Sequence, residues 1–156
     1  MMTFTDIDKI SMSILRTLQK DGRTTVNDLS ERVGLSASAV ARRVRLLEEA
    51  GVISGYAALI DEAQLGFGFS VFVSVKLERQ VDSALAKFEA AINTFPEVVE
   101  CWLMTGNRDY LLRISTRGLD DFERFLVGKF TKIPGVASIE SSIPLRRVKA
   151  GMARLL

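Results

Sequence analysis

Residues 36 to 49 hold the side chains best suited to a specific chemistry. Written as a helix, SASAVARRVRLLEE aligns Ala37, Val40, Val44 and Leu47 on one stripe. Ser38, Arg42 and Arg45 then point to the opposite side, with Ala39 and Arg43 on the flanks. A hydroxyl near the helix start, small alanines and three arginines suit nucleic acid. Small residues admit base edges, and a guanidinium can grip guanine through two hydrogen bonds or clamp a phosphate. Ser36 stands where an N-cap belongs. The competing use of the arginines is a solvated ion pair with Glu49, which lies one turn from Arg45 and two from Arg42.

The preceding residues can position that face. Val26, Leu29 and Val33 mark a short helix, and Gly34-Leu35 supplies a turn in which glycine tolerates positive φ. An earlier helix over 8–20 carries Ile7, Ile10, Ile14, Leu15 and Leu18 on its apolar side, with Asp6 or Asp8 as cap and Asp21-Gly22 as stop. Two helices joined by a glycine turn form a helix-turn-helix, whose second helix can enter the major groove of double-stranded DNA; an ordinary αα-hairpin has the same spacing. VISGYAALI, residues 52 to 60, reads as a strand broken at Gly55, serving as a wing or a connector. DEAQLGFG, residues 61 to 68, reads as a hinge between domains over 1–60 and 69–156.

Composition limits the chemistry available. The 156 residues carry a net charge of +2, so affinity for DNA must come from local placement. There is one cysteine, Cys101, and no histidine. That disfavours a disulfide framework, zinc, and acid-base catalysis by imidazole. No cofactor is expected. Cys101 lies in an apolar strand pattern, where buried packing is the expected role. No long apolar run suggests a membrane span, so a cytoplasmic protein without a membrane partner is expected.

The second half changes period. Ser70 to Leu77 alternates, with Val71, Val73, Val75 and Leu77 on one face. Val81, Leu85, Phe88, Ile92 and Phe95 recur at helical spacing until Pro96. Strands over 98–104 and 109–116 flank a turn, Leu119 to Ile133 forms a second helix, and 136–149 is extended. The order β-α-β-β-α-β predicts an α+β, ferredoxin-like domain behind a winged-helix-like N-terminal domain. Two helices cover one sheet face only. Phe72, Trp102 and Met104 lie on the other, which predicts a symmetric homodimer through the sheets; a tolerated exposed face is the alternative.

The segments ILRTLQKDGR, LSERVGLSASAVARRVRLLEEAGVISGY, ALIDEAQLG, FPEVVECWLMTGNRDYLLRI and IPGVASIESS together resemble the Lrp/AsnC family of leucine-responsive and asparagine-responsive regulators. The likeness runs along nearly the whole chain. Ser11 departs from the family's usual Asp in the first helix. The resemblance implies a transcription regulator, not an enzyme, whose C-terminal domain dimerises and often assembles further, typically to octamers. It also implies a small amino-acid effector held between subunits near Thr105, Gly106, Asn107, Asp109 and Tyr110, with Ser141 and Ser142 as candidates from a neighbouring subunit. Turn amides could hold an α-carboxylate and Asp109 an ammonium; an ordinary hairpin turn uses the same residue types. Two other functions share parts of this pattern. One is a ligand-independent architectural DNA-binding protein, and the other a tetrapyrrole decarboxylase of similar fold, disfavoured by the lack of histidine.

Overall fold

The structure, a computed structural model, describes residues 7–149. The chain divides into two compact units, with the break between Leu59 and Ile60.

The first unit holds three helices: α1 (Lys9–Lys20), α2 (Val26–Val33) and α3 (Ala37–Glu49). Each begins on the side chain that local chemistry favours. Asp8 caps α1 through the Ser11 amide, and Ser36 caps α3 through the Ala39 amide. Thr25 and Asp28 form a reciprocal capping box on α2. Gly34, at φ 67°, makes the left-handed turn between α2 and α3. Ile14, Leu29 and Val40, one from each helix, form the core, and Leu47 is buried as well. Asp6, the other candidate cap, lies outside the described residues.

The stretch 52–60 is not a strand. Val52 and Ile53 donate to the Leu47 carbonyl as the end of the α3 cap, and no strand pairs with the segment among the described residues. It is an irregular connector. Tyr56 within it donates to Glu48 Oε1 at 3.0 Å.

The second unit is one four-stranded antiparallel sheet with helices on one face. Its elements are β1 (Phe69–Leu77), α4 (Asp82–Ile92), β2 (Val98–Leu103), β3 (Tyr110–Thr116), α5 (Leu119–Gly128) and β4 (Val136–Ser142). The strand order β2-β3-β1-β4 is the ferredoxin-like one. Val71, Val73 and Val75 from β1 and Leu112 and Ile114 from β3 pack on Phe88, Phe125 and Phe130. The helix expected from Leu119 to Ile133 is split: α5 stops at Gly128, and a short 3-10 turn over Phe130–Lys132 completes the path. The extended segment expected over 136–149 holds a strand only to Ser142.

The other sheet face is open in the protomer. Phe72 is half-buried, while Trp102 and Met104 are 44% and 42% exposed. Charges on this face are already neutralised. Arg113 binds Glu62 through two hydrogen bonds of 2.9 and 3.0 Å and reaches Glu100 at 3.5 Å. Arg108 pairs with Glu140 at 2.6 Å. Cys101 is exposed, contrary to the packing role its pattern suggested, because β2 is an edge strand that the helices leave uncovered. Partial desolvation, with Glu89 nearby, pushes its pKa up to about 11, so the thiol stays protonated at neutral pH.

The segment 61–68 is tethered to the sheet. Glu62 holds Arg113 and accepts from the Ser115 hydroxyl at 2.9 Å, and that hydroxyl also reaches the Phe67 carbonyl. The Arg113 guanidinium lowers the Glu62 pKa. Bending within 61–68 would break these contacts, so the segment moves with β3.

Candidate functional site

The N-terminal candidate is the outward face of α3. Val40 and Leu47 are buried, Ala37 and Val44 half-buried, and Ser38, Ala41, Arg42 and Arg45 exposed. The three arginines have different partners. Arg45 pairs with Glu49 at 3.5 Å, one turn on. Arg43 is half-buried; its guanidinium donates to Asp8 Oδ2 at 2.6 Å and to Ser11 Oγ at 3.0 Å. Arg42 is exposed and makes no ion pair among the described residues. Ser36 and Ser38 hydroxyls lie 3.1 Å apart, and Ser36 also serves the cap. Ala39 sits half-buried beside them.

The Arg43 contact corrects the sequence view, which set this residue beside its neighbours as a DNA-facing cation. Arg43 instead ties α3 to the start of α1. An Asp is usual in the family where this chain has Ser11; here Ser11 keeps the hydrogen bond and Asp8 carries the charge. Helix periodicity could not reveal a bond between residues 35 apart.

Asp8 is held down to about pKa 2, first by the Ser11 amide and then by Arg43. Its folded-state pKa is thus below the ordinary 3.8. Its contribution is fully present above about pH 4 and is lost as pH falls through 2. Asp8→Asn should therefore lower the melting temperature of the N-terminal unit at pH 7, and the difference from wild type should shrink towards pH 2. Paired melts at the two pH values check this. A difference that does not shrink would mean that Asp8 acts only as an uncharged cap.

The C-terminal candidate is the loop between β2 and β3. Gly106 has φ 110°, a conformation that L side chains rarely adopt. Thr105, Gly106 and Asn107 are exposed. Asp109 and Tyr110 are not. The Asp109 carboxylate turns inward, 4% exposed, where Oδ2 accepts the Leu77 amide at 2.6 Å and Oδ1 accepts from Gln80. Its own amide donates to the Val75 carbonyl. Both oxygens are engaged by the protein, so Asp109 is not free to take an ammonium and instead fixes the loop base. Tyr110 is buried against Phe88, ring centroids 4.5 Å apart, and donates to Glu89 Oε1 at 2.8 Å. Burial and then Glu89 raise its pKa.

Ser141 and Ser142 are exposed on β4, opposite Val73 and Phe72, whereas the loop base meets β1 at Val75 and Leu77. One protomer does not bring them to its own loop. What it does bring is Arg108, which reaches Ser138 Oγ at 2.8 Å and Glu140 at 2.6 Å and so ties the loop to β4. Alternation along β4 put Ser138 and Glu140 on the same face as Phe72, but nothing in the sequence paired them with Arg108.

Two family descriptions match: winged helix-turn-helix DNA-binding over residues 7–54, and Lrp/AsnC ligand binding domain over 70–153. Among curated relatives, the Bkd operon transcriptional regulator of Pseudomonas aeruginosa is 46% identical over 143 residues, covering 92% of this chain and 94% of the relative. The leucine-responsive regulatory protein of Rhizobium meliloti is 41% identical over 149 residues, 96% of each. A transcriptional regulator of Neisseria meningitidis, solved in complex with L-Met, superposes with a TM-score of 0.88 at 36% identity, covering 93% of this chain and 94% of that one. The fold and the α3 face define a helix-turn-helix transcription regulator with a separate ligand-binding unit. The chain belongs to the Lrp/AsnC family.

Proposed function

We propose that the protein reads operator DNA through Ser38 and Arg42, and that a small amino acid held at the Thr105–Asn107 loop between subunits tunes that binding. The observation that carries the DNA assignment is the exposed Arg42, the one α3 arginine without an ion pair among the described residues. A guanidinium with no carboxylate to leave can engage a base at lower cost than a paired one. Arg45 and Ser36 fit backbone contacts at the helix rim. The effector reading is supported by the exposed loop, with Gly106 allowing close backbone approach, and by the L-Met complex of the Neisseria relative.

The unit would act as a homodimer through the open sheet face, possible further assembly including octamers, in the cytoplasm with the DNA. Paired charges on that face make its burial less costly than burial of free charges. Effector binding would favour one assembly over another and thereby change operator affinity.

Arg42→Ala should weaken operator binding by roughly 1–3 kcal/mol and relax preference at one position. Arg45→Ala should weaken all sequences alike and reduce the salt slope by about one. Gel-shift titrations at several salt concentrations separate the two. Wild-type affinity in Arg42→Ala would show that the base-reading face is assigned to the wrong side of α3.

A further inference from the structure

The second unit carries a groove of about 660 Å³ that none of the residues from Thr105 to Tyr110 lines. It lies between the tethered segment, the start of β2, the end of β3 and α5. Phe67, Pro96, Val99 and Phe125 give it an apolar lining. The size is that of a small-molecule site.

Two charged groups in this lining lack a full set of partners among the described residues. Arg117 is exposed just beyond β3, its guanidinium 5.6 Å from the centroid of the Phe67 ring, with no carboxylate against it. Glu97 receives Lys129 Nζ on Oε1 at 2.7 Å, but its Oε2 is buried without a donor. The remaining acids of the lining are already engaged, Glu62 with Arg113 and Asp121 with Arg124. A buried acceptor without a donor is rare and costly. A guanidinium stacked on an aromatic ring keeps its donor edge free for a carboxylate.

We infer that this groove binds a second small ligand, an α-amino acid with a bulky apolar side chain. Its carboxylate meets Arg117, its ammonium meets Glu97 Oε2, and its side chain lies on Phe67 and Phe125. A zwitterion with an apolar body matches all three features at once. A plain anion would leave Glu97 unserved and face it with like charge. Phe67 belongs to the segment tethered on β3, so occupancy also steadies that segment.

L-phenylalanine is the probe, used with its amide, which lacks the carboxylate, and with 3-phenylpropionate, which lacks the ammonium. Calorimetry on the full-length protein should show that Arg117→Gln weakens L-phenylalanine at least tenfold and leaves the amide unchanged. Glu97→Gln should weaken L-phenylalanine and spare 3-phenylpropionate. Asn107→Ala should leave groove affinity as in wild type, so failure of the loop assignment and failure of the groove assignment are separable. A crystal of the full chain with L-phenylalanine should show density over Phe67. Absence of heat at millimolar ligand, equal L-phenylalanine affinity in wild type and Arg117→Gln, or density confined to the 105–110 loop overturns the inference.

Discussion

Met104→Glu and Trp102→Glu should each reduce the protein to protomers or aggregates, while the wild type elutes as at least a dimer. Both side chains stand on the open sheet face, and both are more than 40% exposed in the protomer. A symmetric contact brings two copies of each substitution into one interface. The new carboxylates would meet a face whose charges are already matched, Arg113 by Glu62 and Glu100, Arg108 by Glu140. No spare cation on these two arginines is left to take them. Desolvating an unpaired carboxylate costs several kcal/mol, so about 3 kcal/mol, or roughly a hundredfold in the dimer dissociation constant, is a modest expectation. Exclusion chromatography with light scattering at micromolar concentration decides it. A wild-type protomer under those conditions, or mutants that assemble normally, would place the dimer contact elsewhere.

Asp109→Ala should destabilise the C-terminal unit by about 2–3 kcal/mol, because the buried Leu77 amide loses its acceptor and Gln80 its partner. For a unit of this size that is roughly 10 °C or more in Tm. Asp109→Asn should recover only part of it: the amide oxygen can replace one acceptor, but its nitrogen then faces a second donor. Asn107→Ala, exposed on the same loop, should leave the melt unchanged and weaken effector binding. Thermal melts of the three variants, with and without amino acid, separate support of the loop from contact with the ligand. An Asp109→Ala protein that melts like wild type would return the carboxylate to the ligand.

Repeating patterns were readable from the sequence, and long-range side-chain bonds were not. The stripe Val40-Leu47 and the alternation Val71-Val73-Val75 follow from helical and strand periods, which act through burial alone. Gly34 and Ser36 declare themselves because few residues suit a left-handed turn or a cap. Asp109 shows the limit. Its residue type fits a ligand carboxylate and a structural one equally well, and only the approach of Leu77 and Gln80, about thirty residues upstream, decides its direction. Arg43 fails the same way, since Asp8 reaches it from another helix. Gly55 and the absence of a pairing partner explain why 52–60 stays irregular: alternation alone does not make a strand without a neighbour to bond. The split after Gly128 is a further case. Phe130 and Ile133 keep helical spacing and are buried, but through a 3-10 turn that periodicity does not distinguish.

The account's central claim is that an amino acid alters DNA binding by this chain. An anisotropy titration tests it most directly, using the full-length protein and a DNA fragment enriched by its own binding, at one fixed salt concentration, with and without each of the common amino acids. At least one amino acid should change the apparent Kd about fivefold or more, a coupling of roughly 1 kcal/mol. Identical titration curves with every amino acid at millimolar concentration would contradict the claim and leave a DNA-binding protein that senses none of them.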